Sequence, residues 1–287
     1  MDKINVAFSS FPDGDTHCVI KDMGRVQSGK SALIVHRLYP EQNEQIIRLV
    51  LLVDLLKDLG VTDVSIFSPY LPYSRQDKRS LPGEALGAAS LCRLLSNMGC
   101  RRLYTLDCHF MREKRDMVYE ELPITSIDAA SILLEVFRTR HTGNKPFHLV
   151  GPDKGASPLV RQADGQFMHK ERGSYVHDGH VSKREVVGLT SDHLVLEHPT
   201  VVLIDDMMST GTTMLQAIHN LSTEGITDIY CVATHGIFLD DSYEKLSRLT
   251  KAVIVSDSIT GAPKPVRLTD RLLTDKIIPH FLEGILE

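Results

Sequence analysis

Residues 201–218 read VVLIDDMMSTGTTMLQAI. Val201 to Ile204 form an uninterrupted apolar, mostly β-branched run, as in a strand buried on both faces of a parallel sheet. Two carboxylates follow, Asp205 and Asp206, and then a small hydroxylated turn, Ser209-Thr210-Gly211-Thr212-Thr213. From Met214 the apolar residues take helical spacing. Strand, acidic tip, turn and helix in that order aim the first-turn N–H groups and the positive end of the helix dipole at the turn. An anion such as a phosphate fits there. Hydroxyls and amides suit a phosphate, and adjacent carboxylates suit the hydroxyls of a sugar attached to it. The plainer alternative is an ordinary βα loop that happens to end in two acids.

The same grammar repeats along the chain. Strands are expected over residues 4–9, 32–38, 64–68, 103–106, 147–150, 201–204, 229–233 and 252–255. Helical spacing covers 44–59, 83–98, 129–138, 214–223 and 242–249. Alternating strands and helices predict parallel sheets with helices on both faces, with ligands at the carboxyl ends of the strands. Those ends are chemically loaded: SPYLPYSRQDKR (68–79), TLDCHF (105–110), VGPDKGAS (150–157), IDDMMSTGTT (204–213), ATHGIF (233–238) and VSDSI (255–259). Six such ends favour an α/β enzyme over a scaffold. They fall into an early and a late group about Pro123, which predicts two similarly built domains, 1–124 and 125–287, the last helix packing back on the first.

With 287 residues and 42% hydrophobic content, the chain can bury two cores of ordinary size. A net charge of −5 argues against a general nucleic-acid binder. Five cysteines without CxxC spacing read as reduced thiols of a cytoplasmic protein. The start, MDKINVAF, is not a signal peptide, and the longest apolar stretch is too short and too charged to span a bilayer. No membrane partner is expected.

Residues 24–31, GRVQSGKS, satisfy the P-loop pattern GxxxxGK[ST]. That motif works only where a helix follows the lysine. Here Ala32-Leu33-Ile34-Val35 follow, a β-type run, so the segment reads as a turn leading into a strand with Lys30 in solvent.

Taken in order, FPDGD (11–15), SPYLPYSRQDKR, TLDCH, GPDKGA, HKERG (169–173), IDDMMSTGTT, ATHGIF and VSDSI resemble the segments of the ribose-phosphate pyrophosphokinase (PRPP synthetase) family. The likeness spans most of the chain, and its strength lies in eight weak matches occurring in sequence. It implies two phosphoribosyltransferase-type α/β domains, each a mainly parallel sheet flanked by helices, the first on the ATP side and the second on the ribose 5-phosphate side. It also implies transfer of the pyrophosphoryl group of ATP to O1 of ribose 5-phosphate, a need for Mg²⁺, and a homo-oligomer, dimer or higher.

The resemblance assigns roles by position. Asp205, Asp206, Ser209, Thr210, Gly211, Thr212 and Thr213 would bind ribose 5-phosphate. Phe11, Asp13, Asp15, Arg75, Gln76, Asp77 and His109 would bind ATP, with Phe11 stacking on the base from a neighbouring subunit. His109 and Asp153 would hold the metal, and Asp107 is expected on the opposite side of its strand end. Lys170 and Arg172 would be catalytic, two cations on a closing loop that continues through GSYVHDGHVSKREVVG (173–188). Read without the resemblance, HKER and RQDKR are ordinary surface strings.

Departures from the family pattern are also visible. Ser209 and Thr212 stand where the family has Asp and Gly, Asp15 replaces Glu, and MREKRDMVY (111–119) replaces the family's run after the strand-end histidine. Ten residues precede Phe11, fewer than the strand and helix the family places there. An alternative reading is therefore a non-catalytic homologue that regulates a synthetase or senses PRPP. A phosphoribosyltransferase that consumes PRPP is a third, although it does not need the RQDKR and DCH segments.

Overall fold

A computed structural model describes residues 3–111, 115–143, 145–156, 159–160, 165–178, 181–190, 194 and 196–259. The chain divides into two units, Met1–Ile127 and Asp128–Glu287.

In the first unit, β1 (Val6–Ser10) and β2 (Thr16–Ile20) form an antiparallel hairpin. Its turn is FPDGD, closed by Gly14 N–H donating to Phe11 O (2.9 Å) and Phe11 N–H donating to Asp15 O (2.8 Å). Sequence periodicity foresaw β1 but not β2, whose mixed residues gain their strand shape from the partner. The segment GRVQSGKS runs straight into β3 (Ser31–Val35), so a strand rather than a helix follows Lys30, which is exposed.

The main sheet of this unit also contains β4 (Asp63–Phe67), β5 (Cys100–Leu106), β6 (Asp116–Tyr119) and β7 (Leu122–Ile127). Its order is β3-β4-β5-β7-β6, parallel except for β6 at the edge. Helix α1 (Gln42–Asp58) buries Ile46, Leu49, Leu52, Val53 and Leu56, the stripe its period dictates. It stops at Gly60 (φ 79°). There Gly60 N–H reaches Lys57 O (2.9 Å) and Val61 N–H reaches Leu56 O (3.0 Å), satisfying the last carbonyls. A side chain at residue 60 would also collide with Ser28 Oγ, 2.3 Å from its Cβ position. Helix α2 (Gly87–Asn97) buries Leu91, Cys92 and Leu95 in the same core.

The second unit begins with helix α3 (Ala130–Phe137) and strand β8 (His148–Gly151). Short β9 (Gln166–Phe167) pairs beside β8. Next come β10 (His169–Asp178) and β11 (Val181–Thr190), a separate antiparallel hairpin. The segment read as a polar, glycine-containing loop over 173–188 is thus largely paired as strand. The stretch is polar and contains glycine, but Val176, Val181 and Val186 are β-formers, and the cross-strand ladder pairs them with Lys183, Asp178 and Arg172.

β12 (Thr200–Met208), α4 (Thr212–Thr223), β13 (Asp228–Gly236), α5 (Ser242–Leu249) and β14 (Ala252–Val255) complete the described unit. The sheet order is β14-β13-β12-β8-β9, all parallel. The central strand β12 is buried along Val201–Ile204, as the opening stretch requires. The expected closing helix lies outside the described residues.

A local clasp joins β8 to the segment before β12. His148 Nε2 accepts N–H bonds from Glu197 (2.7 Å) and His198 (2.9 Å), and its ring stacks on that of His198. Burial and the neighbouring His198 hold the His148 pKa below the usual imidazole value, against the opposing pull of Glu197. A histidine whose pKa is lowered by folding takes its proton more readily when unfolded. Its contribution to stability is therefore complete above about pH 6.5 and is lost as pH falls below that. Urea melts should show wild type losing stability more steeply than His148→Phe between about pH 6.5 and 5. Parallel slopes would remove the clasp from the acid response.

Candidate active site

β12 does not end at Ile204. Its ladder with β13 continues through Asp205↔Ala233 to Met208↔Gly236, so both acids sit inside the last turns of a strand. Asp206 N–H donates to Asp205 Oδ1 (2.9 Å). One strand away, just beyond β8, Asp153 opens a short 3₁₀ turn, Lys154–Ala156, and its Oδ1 accepts from Gly155 N–H (2.6 Å). Burial, then the charge and hydrogen bond of Asp206, then the charge of Asp153 raise the Asp205 pKa well above the ordinary carboxylate value. The carboxyl ends of the paired strands β12 and β8 thus bring Asp153 within electrostatic reach of Asp205, beside its neighbour Asp206.

This crowding has a price in stability. A carboxyl whose pKa is raised on folding weakens the fold as pH rises above its unfolded value, near 3.8. Asp205→Asn keeps an acceptor for Asp206 N–H and loses the charge. The variant should melt several degrees above wild type at pH 8, and the gap should close toward pH 4, as read by thermal denaturation. A variant melting below wild type at pH 8 contradicts the crowding argument.

Ser209 to Thr213 turn the chain from β12 into α4. Gly211 precedes the helix at φ 73° and is buried, whereas Thr210 and Thr212 are exposed on either side of it, their hydroxyls 3.1 Å apart. A Cβ at residue 211 would lie 3.3 Å from Ser242 Cβ in an already left-handed conformation, so this position demands glycine. No side chain caps α4. The residue before α4 is a glycine, so it offers no side chain to cap the first-turn amides.

In the first unit, the loop after β4 lies against the carboxyl end of β5. Leu106 N–H donates to Pro69 O (3.1 Å), and Ser68 N–H donates to Tyr104 O (2.9 Å). Tyr70, Leu71 and Ser74 anchor the first loop by burial, while Arg75, Gln76, Lys78 and Arg79 are exposed and Asp77 is half-buried. Arg79 is tied locally to Glu84 O (2.9 Å). Asp107 is buried, and its carboxylate lies 3.4 Å from Arg115 Nη1. Its neighbour Cys108 donates its N–H to Ser126 Oγ (2.9 Å), and His109 is half-buried beyond them. Arg115 was missed in the sequence, since nothing local marks a cation eight residues on as the partner of a strand-end acid.

Phe11 stands at the hairpin tip, half-exposed with its ring against that of His17, and Asp13 and Asp15 are exposed beside it. Lys170 and Arg172 lie on β10, opposite Leu189 and Val186, across an irregular register. The strand end ATHGIF (233–238) is marked in the sequence, but its link to the turn after β12 is not. Ile237, Phe238 and Leu239 donate their N–H groups to the carbonyls of Met208 and Ser209, at the start of the phosphate-type turn.

Residues 1–99 match the family model described as the N-terminal domain of ribose phosphate pyrophosphokinase. Residues 118–270 match the phosphoribosyl transferase domain. The ribose-phosphate pyrophosphokinase of Thermococcus kodakarensis is 30% identical over 270 residues, covering 94% of this chain and 91% of the relative. That of Sulfurisphaera tokodaii is 28% identical over 272 residues, covering 93% and 89%. A crystal structure of phosphoribosylpyrophosphate synthetase from Mycobacterium smegmatis shares the fold, with a TM-score of 0.72 at 21% identity over 90% of this chain and 81% of that one.

Proposed function

The chain belongs to the ribose-phosphate pyrophosphokinase family, and from that premise we propose how its residues divide the work of a ribose-phosphate diphosphokinase. The reaction joins O1 of ribose 5-phosphate to the β-phosphorus of ATP. The bond from that phosphorus to the α-bridging oxygen breaks, and PRPP and AMP result. Transfers of this kind depend on positioning and electrostatic stabilisation more than on covalent chemistry.

The observation that carries the reading is the β12 strand end: two acids followed by a hydroxylated turn that opens a helix. Ser209 to Thr213 hold the 5-phosphate, with amides, hydroxyls and the α4 dipole acting together. Asp205 and Asp206 accept hydrogen bonds from the ring hydroxyls. Arg75 and Gln76, with Asp77, meet the ATP phosphates and sugar. Lys170 and Arg172 stabilise charge on the transferring group and the departing AMP oxygen.

His109 and Asp153 would hold Mg²⁺. The Asp153 carboxylate suits a hard cation, and its charge adds to the negative crowding around Asp205, which a divalent ion would offset, whereas the His109 imidazole is an unusual donor for Mg²⁺. Among the described residues no three such side chains converge as a closed metal cage. An ion held here would take most of its shell from water and substrate phosphates. When bound, it would neutralise phosphate charge. The exposed Phe11 tip, with Asp13 and Asp15, serves the adenine in a second copy of the chain, so the working unit is a homo-oligomer. Among the described residues no helix is long and apolar enough to cross a membrane. The enzyme works in the cytoplasm, in keeping with five free cysteines.

The test is incubation with ATP, Mg²⁺ and ribose 5-phosphate, followed by ³¹P NMR. AMP and PRPP should appear in equal amounts. ADP in their place would indicate ordinary phosphoryl transfer. Intact ligand binding without turnover would indicate a non-catalytic homologue.

A further inference from the structure

We infer that Ser242, at the start of α5, is a positioning residue that orients the 5-phosphate turn from outside it. The inference rests on reading residues 209–213 as that turn. Ser242 is buried, and its Oγ donates to Ser209 O (2.9 Å). Leu239 N–H donates to the same carbonyl (3.1 Å). The preceding carbonyl, Met208 O, accepts from Ile237 N–H (2.8 Å) and Phe238 N–H (3.0 Å). Four donors from one segment therefore fix two consecutive peptide planes at the entrance to the turn.

The consequence follows from peptide geometry. In a planar trans peptide the C=O and the following N–H point in opposite directions. Drawing Ser209 O toward Ser242 turns Thr210 N–H the other way. Drawing Met208 O toward 237–238 does the same for Ser209 N–H. Two carbonyl oxygens, which would repel a phosphate, are thereby directed away from the side to which these amides point. Ser242 also packs where a Cβ on Gly211 would go, 3.3 Å from its own Cβ, and so holds the left-handed residue that begins α4.

The clamp is held in a strained form. Phe238 (φ 46°) and Asp240 (φ 55°) are non-glycine residues in left-handed conformations. Such strain persists only where the surroundings over-determine it. Here Phe238 is buried and its ring packs edge-on against Tyr243. The segment is thus shaped to deliver its N–H groups and the Ser242 hydroxyl to the turn.

Ser242→Ala removes one donor and adds no bulk. Its Kd and KM for ribose 5-phosphate should rise about five- to tenfold. kcat at saturating ribose 5-phosphate, ATP affinity and melting temperature should stay near wild type. Thr213→Val, within the turn itself, provides the control. Unchanged ribose 5-phosphate affinity in Ser242→Ala, with clear weakening in Thr213→Val, overturns the positioning role and leaves the assignment of the turn standing. No weakening in either variant overturns that assignment and the inference with it. Equal losses for both substrates together with a lower melting temperature would make Ser242 a general structural residue, which also overturns the inference.

Discussion

Lys170→Ala should lower kcat about a thousandfold, the loss typical of removing one preorganised charge from a transition state. Its Kd for ATP should move by no more than about threefold. In the proposed role Lys170 meets charge that develops only as the pyrophosphoryl group transfers, so the ground state gains little from it. Its setting on β10, paired with Leu189 in a two-stranded ladder, gives the lysine a firmer base than an irregular loop. Arg172 lies two residues on, with register irregularities on either side of it. Two cations acting on one transferring group form a unit, so Lys170→Ala/Arg172→Ala should lose far less than the product of the single losses. Rapid-quench measurement of AMP in a single turnover checks both statements. A Lys170→Ala enzyme within about tenfold of wild type would take the residue out of the chemistry.

Asp206→Ala should weaken ribose 5-phosphate binding about a hundredfold, since hydrogen bonds from sugar hydroxyls to a carboxylate are among the stronger ones. ATP binding should stay within about threefold. The fold should not suffer, because the charge and hydrogen bond of Asp206 are among the causes that raise the pKa of Asp205. Removing Asp206 relieves that crowding, so the melting temperature at neutral pH should hold or rise while affinity falls. Titration calorimetry with each substrate, beside a thermal melt, separates the outcomes. Equal losses for both ligands with a lower melting temperature would show damage to the fold and place the sugar site elsewhere.

The opposite signs expected for affinity and stability at Asp205 and Asp206 share one cause. On the proposed assignment, carboxylates gathered to meet a cation and sugar hydroxyls repel each other until those ligands arrive. This accounts for local frustration at a strand end whose strand is otherwise buried and apolar.

Much of this was legible in the chain. The run Val201–Ile204 could be only a buried strand, and the acids, hydroxyls and glycine after it could be read in order. The reading erred on extent: β12 continues to Met208 because its pairing with β13 continues, which no property of Asp205 or Asp206 announces. The pairing of β10 with β11 is not legible in the sequence, since Gly173, Gly179 and Gly188 and the many charges outweigh its valines when pairing is unseen. β2 was missed for the same reason.

The sequence by itself determined the α/β alternation, the family and the chemical content of each strand end. Periodicity and side-chain type are local properties, written within a few residues. The tertiary structure decided which distant groups act on those ends. Ser242 reaches Ser209 across 33 positions, and His148 takes its donors from 49 and 50 positions away. Asp107 meets Arg115, eight positions on and just before β6. Such contacts depend on where crossovers bring the backbone, and a hydrogen bond between remote segments leaves no periodic trace in either one.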